Sequence, residues 1–279
     1  MPIKGSRSED KREVERALDK YLPRGGKLAR AMRYSVFAGG KRFRPLLCLA
    51  TARALGRKPG RVLPIACAVE MLHTYTLIHD DLPAMDNSDF RRGKPTAHKK
   101  FDEATAILAG DALNTLSFEI LARETRNSEV ITEISQALVQ VVSGQVSDLA
   151  AEGKRISLKI LRSIHERKTA SLISACVRSS AIYLGATLGQ LKALTAYAKH
   201  LGLAFQISDD ILDATSSRKQ LGKPVGADVK KGYPYLIGLE KSRRLAERER
   251  DRAIAALRIF DKKAEILREI ASYVVERKN

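Results

Sequence analysis

A chain of 279 residues with 50 Lys and Arg against 32 Asp and Glu carries a formal charge of +18, and 44% of it is hydrophobic. That is too apolar for a disordered chain, charge interrupts every apolar run before the ~18 residues of a membrane span, and at this length a core needs no disulfide or metal staple. The charge invites a nucleic-acid partner, but with no Trp, 5% aromatic residues and no zinc-finger or RNP-type string none is expected, and small anions such as phosphates account for it equally well.

From the N-terminus, MPIKGSRSEDKREVERALDKYL is charged where an export signal needs its apolar stretch, so the expected location is the cytoplasm. Loops are expected at Pro23–Lys27, Gly56–Gly60, Asn87–Pro95, Glu152–Lys154 and Gly222–Pro234. None is long or low in complexity and no repeat joins them, so residues 1–279 are expected to form a single domain. Cys48, Cys67 and Cys176 fit no bridge or zinc spacing and are expected as core thiols. In Gly39–Pro45, GGKRFRP, two glycines precede Lys41 and Arg44, a pattern for a turn into a helix whose first N–H groups and side chains face an anion.

The first acidic cluster lies in HDDLPAMDNSDFRRGKPTAHKKF. Asp80 and Asp86 are about 240° apart on an ideal helix and could not share a face. Pro83 stops or kinks the helix, so Asp80 and Asp81 are expected on its last turn with Asp86 folding back from a loop. His73, nearly two turns before Asp80, shares its face about 10 Å away and reads as a phosphate ligand. The second cluster is Asp209, Asp210 and Asp213 in FQISDDILD, with Asp209 and Asp213 one turn apart on a helix of core-like residues. Such like charges cost stability unless a cation compensates them, and a hard dication with oxygen ligands is the natural partner. Magnesium held by few carboxylates leaves room for phosphate oxygens, so a diphosphate is expected beside it. Further on, KSRRLAERERDR (Lys241 to Arg252) reads as the solvated face of a helix, and Ile266, Leu267, Ile270, Tyr273 and Val274 draw an apolar stripe on another. With no sustained alternation and no Asn-Gly or Asp-Gly turn, the fold class is all-α.

The ordered strings GGKRFRP, EMLHTYTLIHDDLPAMDNSDFRRGKPTAHKKF, ATAILAGDALNTLSF, HERKTASLI, GLAFQISDDILD and LGKPVGADVKKGYP make the chain resemble the trans-isoprenyl diphosphate synthases, of the bacterial farnesyl diphosphate synthase type. The resemblance implies an isoprenoid synthase helical bundle around a deep central cavity, working as a homodimer without a membrane span. It implies a prenyltransferase joining isopentenyl diphosphate to allylic diphosphates, dimethylallyl and geranyl, to give farnesyl diphosphate, or geranylgeranyl diphosphate as the alternative. Three magnesium ions would be held by Asp80, Asp86 and Asp209, with Asp81, Asp210 and Asp213 in support. Arg91, Lys168 and Lys223 would grip the allylic diphosphate, and Lys41, Arg44, His73 and Arg92 the isopentenyl diphosphate. Thr169, Gln206 and Lys230 would line the reacting centre, and Tyr75 and Thr76 would set chain length. The chain departs from the family in a short spacing between Asp228 and Lys230, in Gly232 where Thr is common, and in ending at Asn279 after Arg277 and Lys278. Other readings are a terpene cyclase, which has no need of a second diphosphate site, a non-catalytic regulatory subunit, which would have lost a cluster or its basic residues, and a basic nucleic-acid-binding helical protein.

Overall fold

The structure is a computed structural model, which describes residues 3–220 and 232–277, with side chains from 8–215 and 232–277. Thirteen α-helices appear among the described residues: α1 (Ile3–Tyr21), α2 (Gly26–Val36), α3 (Phe43–Ala54), α4 (Leu63–Asp80), α5 (Ala97–Lys100), α6 (Glu103–Thr125), α7 (Ser128–Ala150), α8 (Leu158–His165), α9 (Ser171–Tyr183), α10 (Leu188–Gln220), α11 (Tyr233–Ile237), α12 (Leu239–Ala256) and α13 (Glu265–Glu276). The expected all-α fold class holds. The exception is a hairpin of two-residue strands, β1 (Phe90–Arg91) and β2 (Lys94–Pro95), inside the stretch expected as a loop. Strands this short show no alternation in a sequence.

The chain forms two compact units, one taking in the chain up to Ala52 and again Lys58–Ile131, the other Arg53–Arg57 and everything from Thr132 onward. In the first, α4 is the core helix: it packs on α6, with α1 and α2 also against it, and Ile65, Ala66, Cys67, Val69, Met71 and Leu72 are fully buried. The segment Pro59–Asp80 has the length and mean hydropathy, 1.3, of a membrane span. It was absent from the run-length expectation because Glu70 and the polar His73, Thr74 and Thr76 break the apolar stretch. A helix buried all round is apolar all round, in a core as in a bilayer.

In the second unit α10 is the axis, packed by α9, α12, α13 and the short α8 and α11. The apolar stripe of α13 holds, with Leu267, Ile270 and Val274 buried. The charged run on α12 is a solvated face as expected, interrupted by Glu249, which is buried and paired with His200 Nδ1 at 2.6 Å and Arg252 Nη1 at 2.8 Å. All three cysteines are free and buried.

Candidate functional site

In the first unit, α4 ends at Asp80 and Asp81 caps it. Pro83 lies in the turn that follows, and the chain folds back so that the Asp86 N–H donates to the Asp80 carbonyl at 2.8 Å and the Ser88 N–H to that of Asp81 at 3.1 Å. Asp80 is half-buried and Asp86 exposed, which brings together two carboxyl-bearing residues that no unbroken helix could place side by side. Asp81 is different. It is buried and clamped by Arg91, whose Nε donates to Oδ1 and Oδ2 at 2.8 and 2.9 Å while Nη2 lies 2.7 Å from Oδ1. Burial works against the Arg91 charge, but Asp81 first, then Asp80 and Asp86, raise its pKa above the ordinary arginine value. Sequence placed Asp81 beside a metal and Arg91 on a diphosphate; the structure joins them to each other.

The hairpin explains how. Its turn, Arg92-Gly93, has positive φ at both positions, 54° and 74°, as a two-residue hairpin of the I′ type requires. A non-glycine residue in that region is strained and persists only where its surroundings hold it. Here the Arg92 Nη1 donates to the Gly39 carbonyl, and its guanidinium lies over Gly40, where a Cβ would come within 2.9 Å of Cζ. Gly39 and Gly40 have φ of 102° and 124°, so they form the turn that sequence expected and α3 starts two residues past Lys41, at Phe43. Between them Arg42, not singled out by sequence, is a buried anchor: Nη1 donates to Glu70 Oε1 at 2.8 Å, and Nε lies 3.5 Å from Glu15 Oε1.

His73 lies in this field. Burial first, then the charges of Arg44, Arg92, Arg91 and Arg42, hold its pKa well below the ordinary histidine value. Burial likewise lowers Arg92, with Arg42, Arg91 and Arg44 adding to the effect while Glu70 opposes it. The structure thus brings His73, Arg44 and Arg92 together, and Lys41 is exposed in the same loop. Arg44 and Arg92 thus lie as cations near an imidazole held neutral, an arrangement suited to an added anion.

Of the chain-length pair, Tyr75 is 9% exposed, and its hydroxyl pKa is raised by burial and then by Asp80 and Asp111. Its ring meets His79 edge-on at 5.4 Å, and the His79 Nε2 lies 3.1 Å from the Ile107 carbonyl in a notch at Gly110, where a Cβ would be 2.2 Å from it. Thr76 donates to the His73 carbonyl at 2.9 Å. Tyr75 therefore stands under Asp80 on the α6 side, whereas Thr76 is tied back into its own helix.

In the second unit, Asp209, Asp210 and Asp213 lie on α10. Asp209 Oδ1 accepts from Arg277 Nη2 at 2.5 Å, and the Arg277 guanidinium sits 4.3 Å over the Phe205 ring with only 9% of the side chain exposed. Asp210 accepts from the Tyr233 N–H at 2.9 Å and from Gln206 Nε2 at 3.5 Å. Burial pushes its pKa up to about 7, against those two hydrogen bonds and aided by Asp213 and Asp209. Gly232 has φ of 146°, and a Cβ there would lie 3.4 Å from the Asp210 carboxyl carbon. With no side chain at Gly232, the next N–H, that of Tyr233, comes within 2.9 Å of the Asp210 carboxylate. Asp213 is exposed.

Lys168 and Thr169 belong to a π-helical turn, Glu166–Ala170, a rare geometry often found at functional sites. Two glycines admit it: a Cβ on Gly144 of α7 would lie 2.4 Å from the Lys168 nitrogen, and one on Gly202 of α10 would lie 2.5 Å from the Ala170 Cβ. The Lys168 Nζ donates to Asp148 Oδ2 at 2.7 Å. Asp148 was missed by sequence reasoning; its only signal is its position one turn after Gly144. Lys223, Asp228 and Lys230 lie outside the described residues.

Among the described residues no three carboxyl, imidazole or thiol groups converge as a metal cage. Asp80 and Asp86 are hard oxygen donors of the type magnesium takes, with its other positions filled by water or phosphate oxygens.

The chain as a whole is similar to known proteins. The Polyprenyl synthetase family profile matches residues 26–274, and the chain belongs to that family. It is 47% identical over 248 residues to the farnesyl diphosphate synthase of Geobacillus stearothermophilus, covering 83% of each, and 44% identical over 285 residues to the geranylgeranyl diphosphate synthase of Cyanophora paradoxa, covering 97% of this chain and 95% of the relative. The crystal structure of an FPP/GFPP synthase from Zymomonas mobilis superposes with a TM-score of 0.86 at 38% identity, over 98% of this chain and 99% of the other.

Proposed function

We propose that the protein is a short-chain trans-prenyltransferase that joins isopentenyl diphosphate to allylic diphosphates and releases farnesyl diphosphate. The observation that supports it most is that the first unit holds a turn bearing two carboxylates, Asp80 and Asp86, and also the cationic group of Arg44 and Arg92 beside neutral His73. One part suits a metal and the other an anion. The sequence alignment with farnesyl synthases supports the C15 product; the similar identity to a geranylgeranyl synthase keeps C20 as the second reading. Residues 1–279 are read as a single domain of this family.

In this reading Asp80 and Asp86 of the first unit and Asp209 of the second would hold magnesium, three ions in all, which would supply positive charge to a diphosphate leaving group. Lys168 and Lys223 bind the allylic diphosphate, while Lys41, Arg44, His73 and Arg92 orient the isopentenyl diphosphate with its double bond toward the allylic carbon. Asp81 holds Arg91 in place, and Asp210 fixes Gln206 and the backbone at Tyr233. The Thr169 hydroxyl and Gln206 amide oxygen lower the energy of the allylic cation as it forms, as fixed dipoles aimed at developing charge do. Lys230 belongs to the same lining. Apolar side chains exclude water, which would quench the cation to an alcohol. We read the enzyme as cytoplasmic and as a homodimer, and the dimer is supported by Val139, Val142 and Val146, exposed by 65, 48 and 62% along one face of α7.

The test is incubation with magnesium, isopentenyl diphosphate and geranyl diphosphate, followed by chromatography of the dephosphorylated product. A C15 alcohol is expected; Asp80→Ala and Asp209→Ala each lower turnover by orders of magnitude with little change in melting temperature. Absence of product from C5, C10 and C15 starters with the fold intact refutes the reading.

A further inference from the structure

The helices α8 and α11 lie against each other and share one apolar cluster: Leu161, Ile156, Tyr233 and Ile237 turn inward around Leu203, Ile207 and Ala246. Their other sides are apolar as well. Leu158 and Ile160 on α8 are 39 and 49% exposed, and Tyr235 and Leu236 on α11 are 45 and 38% exposed. Apolar side chains on both sides of two short helices exceed what the cluster needs.

Charge surrounds these four side chains. Lys154, Arg155 and Lys159 are exposed, and none of them makes an ion pair among the described residues. The neighbouring acids are mostly spent: Glu166 is paired with Arg162 at 2.9 Å and Glu240 with Arg243 at 3.0 Å. Glu152 is exposed as well, so among the described residues flanking α8 the exposed Lys154, Arg155 and Lys159 outnumber it beside the aliphatic tips and the tyrosine.

We infer that the α8–α11 face docks on an anionic lipid surface. Exposed Leu and Ile beside Lys and Arg, with Tyr at the boundary, is the composition that enters the headgroup region while cations meet lipid phosphates. A stable protein partner needs about 800 Å² per side with matching shape, far more than four separated side chains offer. A fluid interface has no shape to match. The inference goes beyond the proposed reaction and does not rest on it.

The test is co-sedimentation of the full chain with vesicles of phosphatidylcholine alone and of equal parts phosphatidylglycerol and phosphatidylcholine. Binding to the anionic vesicles, weakened by salt, is the expected result. Each basic residue near such a surface contributes about 1 kcal/mol, or about fivefold, so replacing Lys154, Arg155 and Lys159 by Gln weakens binding by about a hundredfold. Leu158→Ser with Ile160→Ser also weakens it, with the melting temperature and solution activity of both variants unchanged. Binding that ignores lipid charge, or that survives both sets of substitutions, overturns the inference. So does retention of polyglutamate without vesicle binding, which would assign the face to an acidic polypeptide.

Discussion

Gly144→Ala adds one methyl group at the closest backbone approach in the second unit. The new Cβ would lie 2.4 Å from the Lys168 nitrogen, 2.8 Å from its Cα and 2.9 Å from the Arg167 carbonyl carbon, so α7 or the π turn must retreat by about 1 Å. Overpacking of this kind costs about 1–3 kcal/mol, and backbone cannot swing aside as a side-chain tip can. Against it stands the helix-propensity gain of Ala over Gly, about 1 kcal/mol. The net is a destabilisation of up to about 2 kcal/mol, a fall in melting temperature of up to about 8 °C for a chain of this size. The same retreat draws Lys168 from Asp148, now 2.7 Å apart, and a 1 Å misplacement in a site can cost ~10²-fold in rate. Gly189→Ala on α10 is the control: nothing lies within 4 Å of its Cβ, so it keeps only the propensity gain. Thermal denaturation by circular dichroism and steady-state diphosphate release read both effects. A Gly144→Ala protein as stable and as active as the parent would refute the view that these glycines set the π turn.

Arg277→Gln frees Asp209 from its cation and should raise apparent magnesium affinity, measured by calorimetry in the presence of inorganic diphosphate, severalfold; equal or weaker affinity would show that the pair does not compete with metal. Tyr75→Ala should lengthen the product on chromatography, and unchanged chain length would move the limiting residue elsewhere. The Asp210 carboxyl, pushed up to about 7 from 3.8, keeps a proton between about pH 4 and 7 that the unfolded chain has lost. In that window the folded state binds more protons, so its contribution to stability falls as pH rises. Melting temperatures across pH 5–8 should fall less steeply in Asp210→Asn, and parallel curves would mean the proton is held elsewhere.

Much of the candidate site was legible because its signals are local. A proline three residues past Asp80 stops the helix whatever the rest of the chain does, and the four-residue spacing of Asp209 and Asp213 puts them on one face of any helix. Glycines at 39 and 40 permit a turn before Lys41 and Arg44 for reasons of backbone sterics alone. The hairpin at Arg92-Gly93 was hidden because its strands have two residues each and its turn uses Arg in place of Asn or Asp.

Sequence by itself therefore determined the helical class, the end of the helix that carries Asp80 and the family the chain resembles. Tertiary structure decided which charges meet across the chain. Arg91 closes on Asp81 ten residues away, Arg42 on Glu70 and Arg277 on Asp209 across 28 and 68 residues, and Lys168 on Asp148 across 20. The physical reason is that helical spacing is set by 1.5 Å and 100° per residue within one segment, whereas a buried ion pair forms only where packing brings two segments together and leaves neither charge a better partner in water.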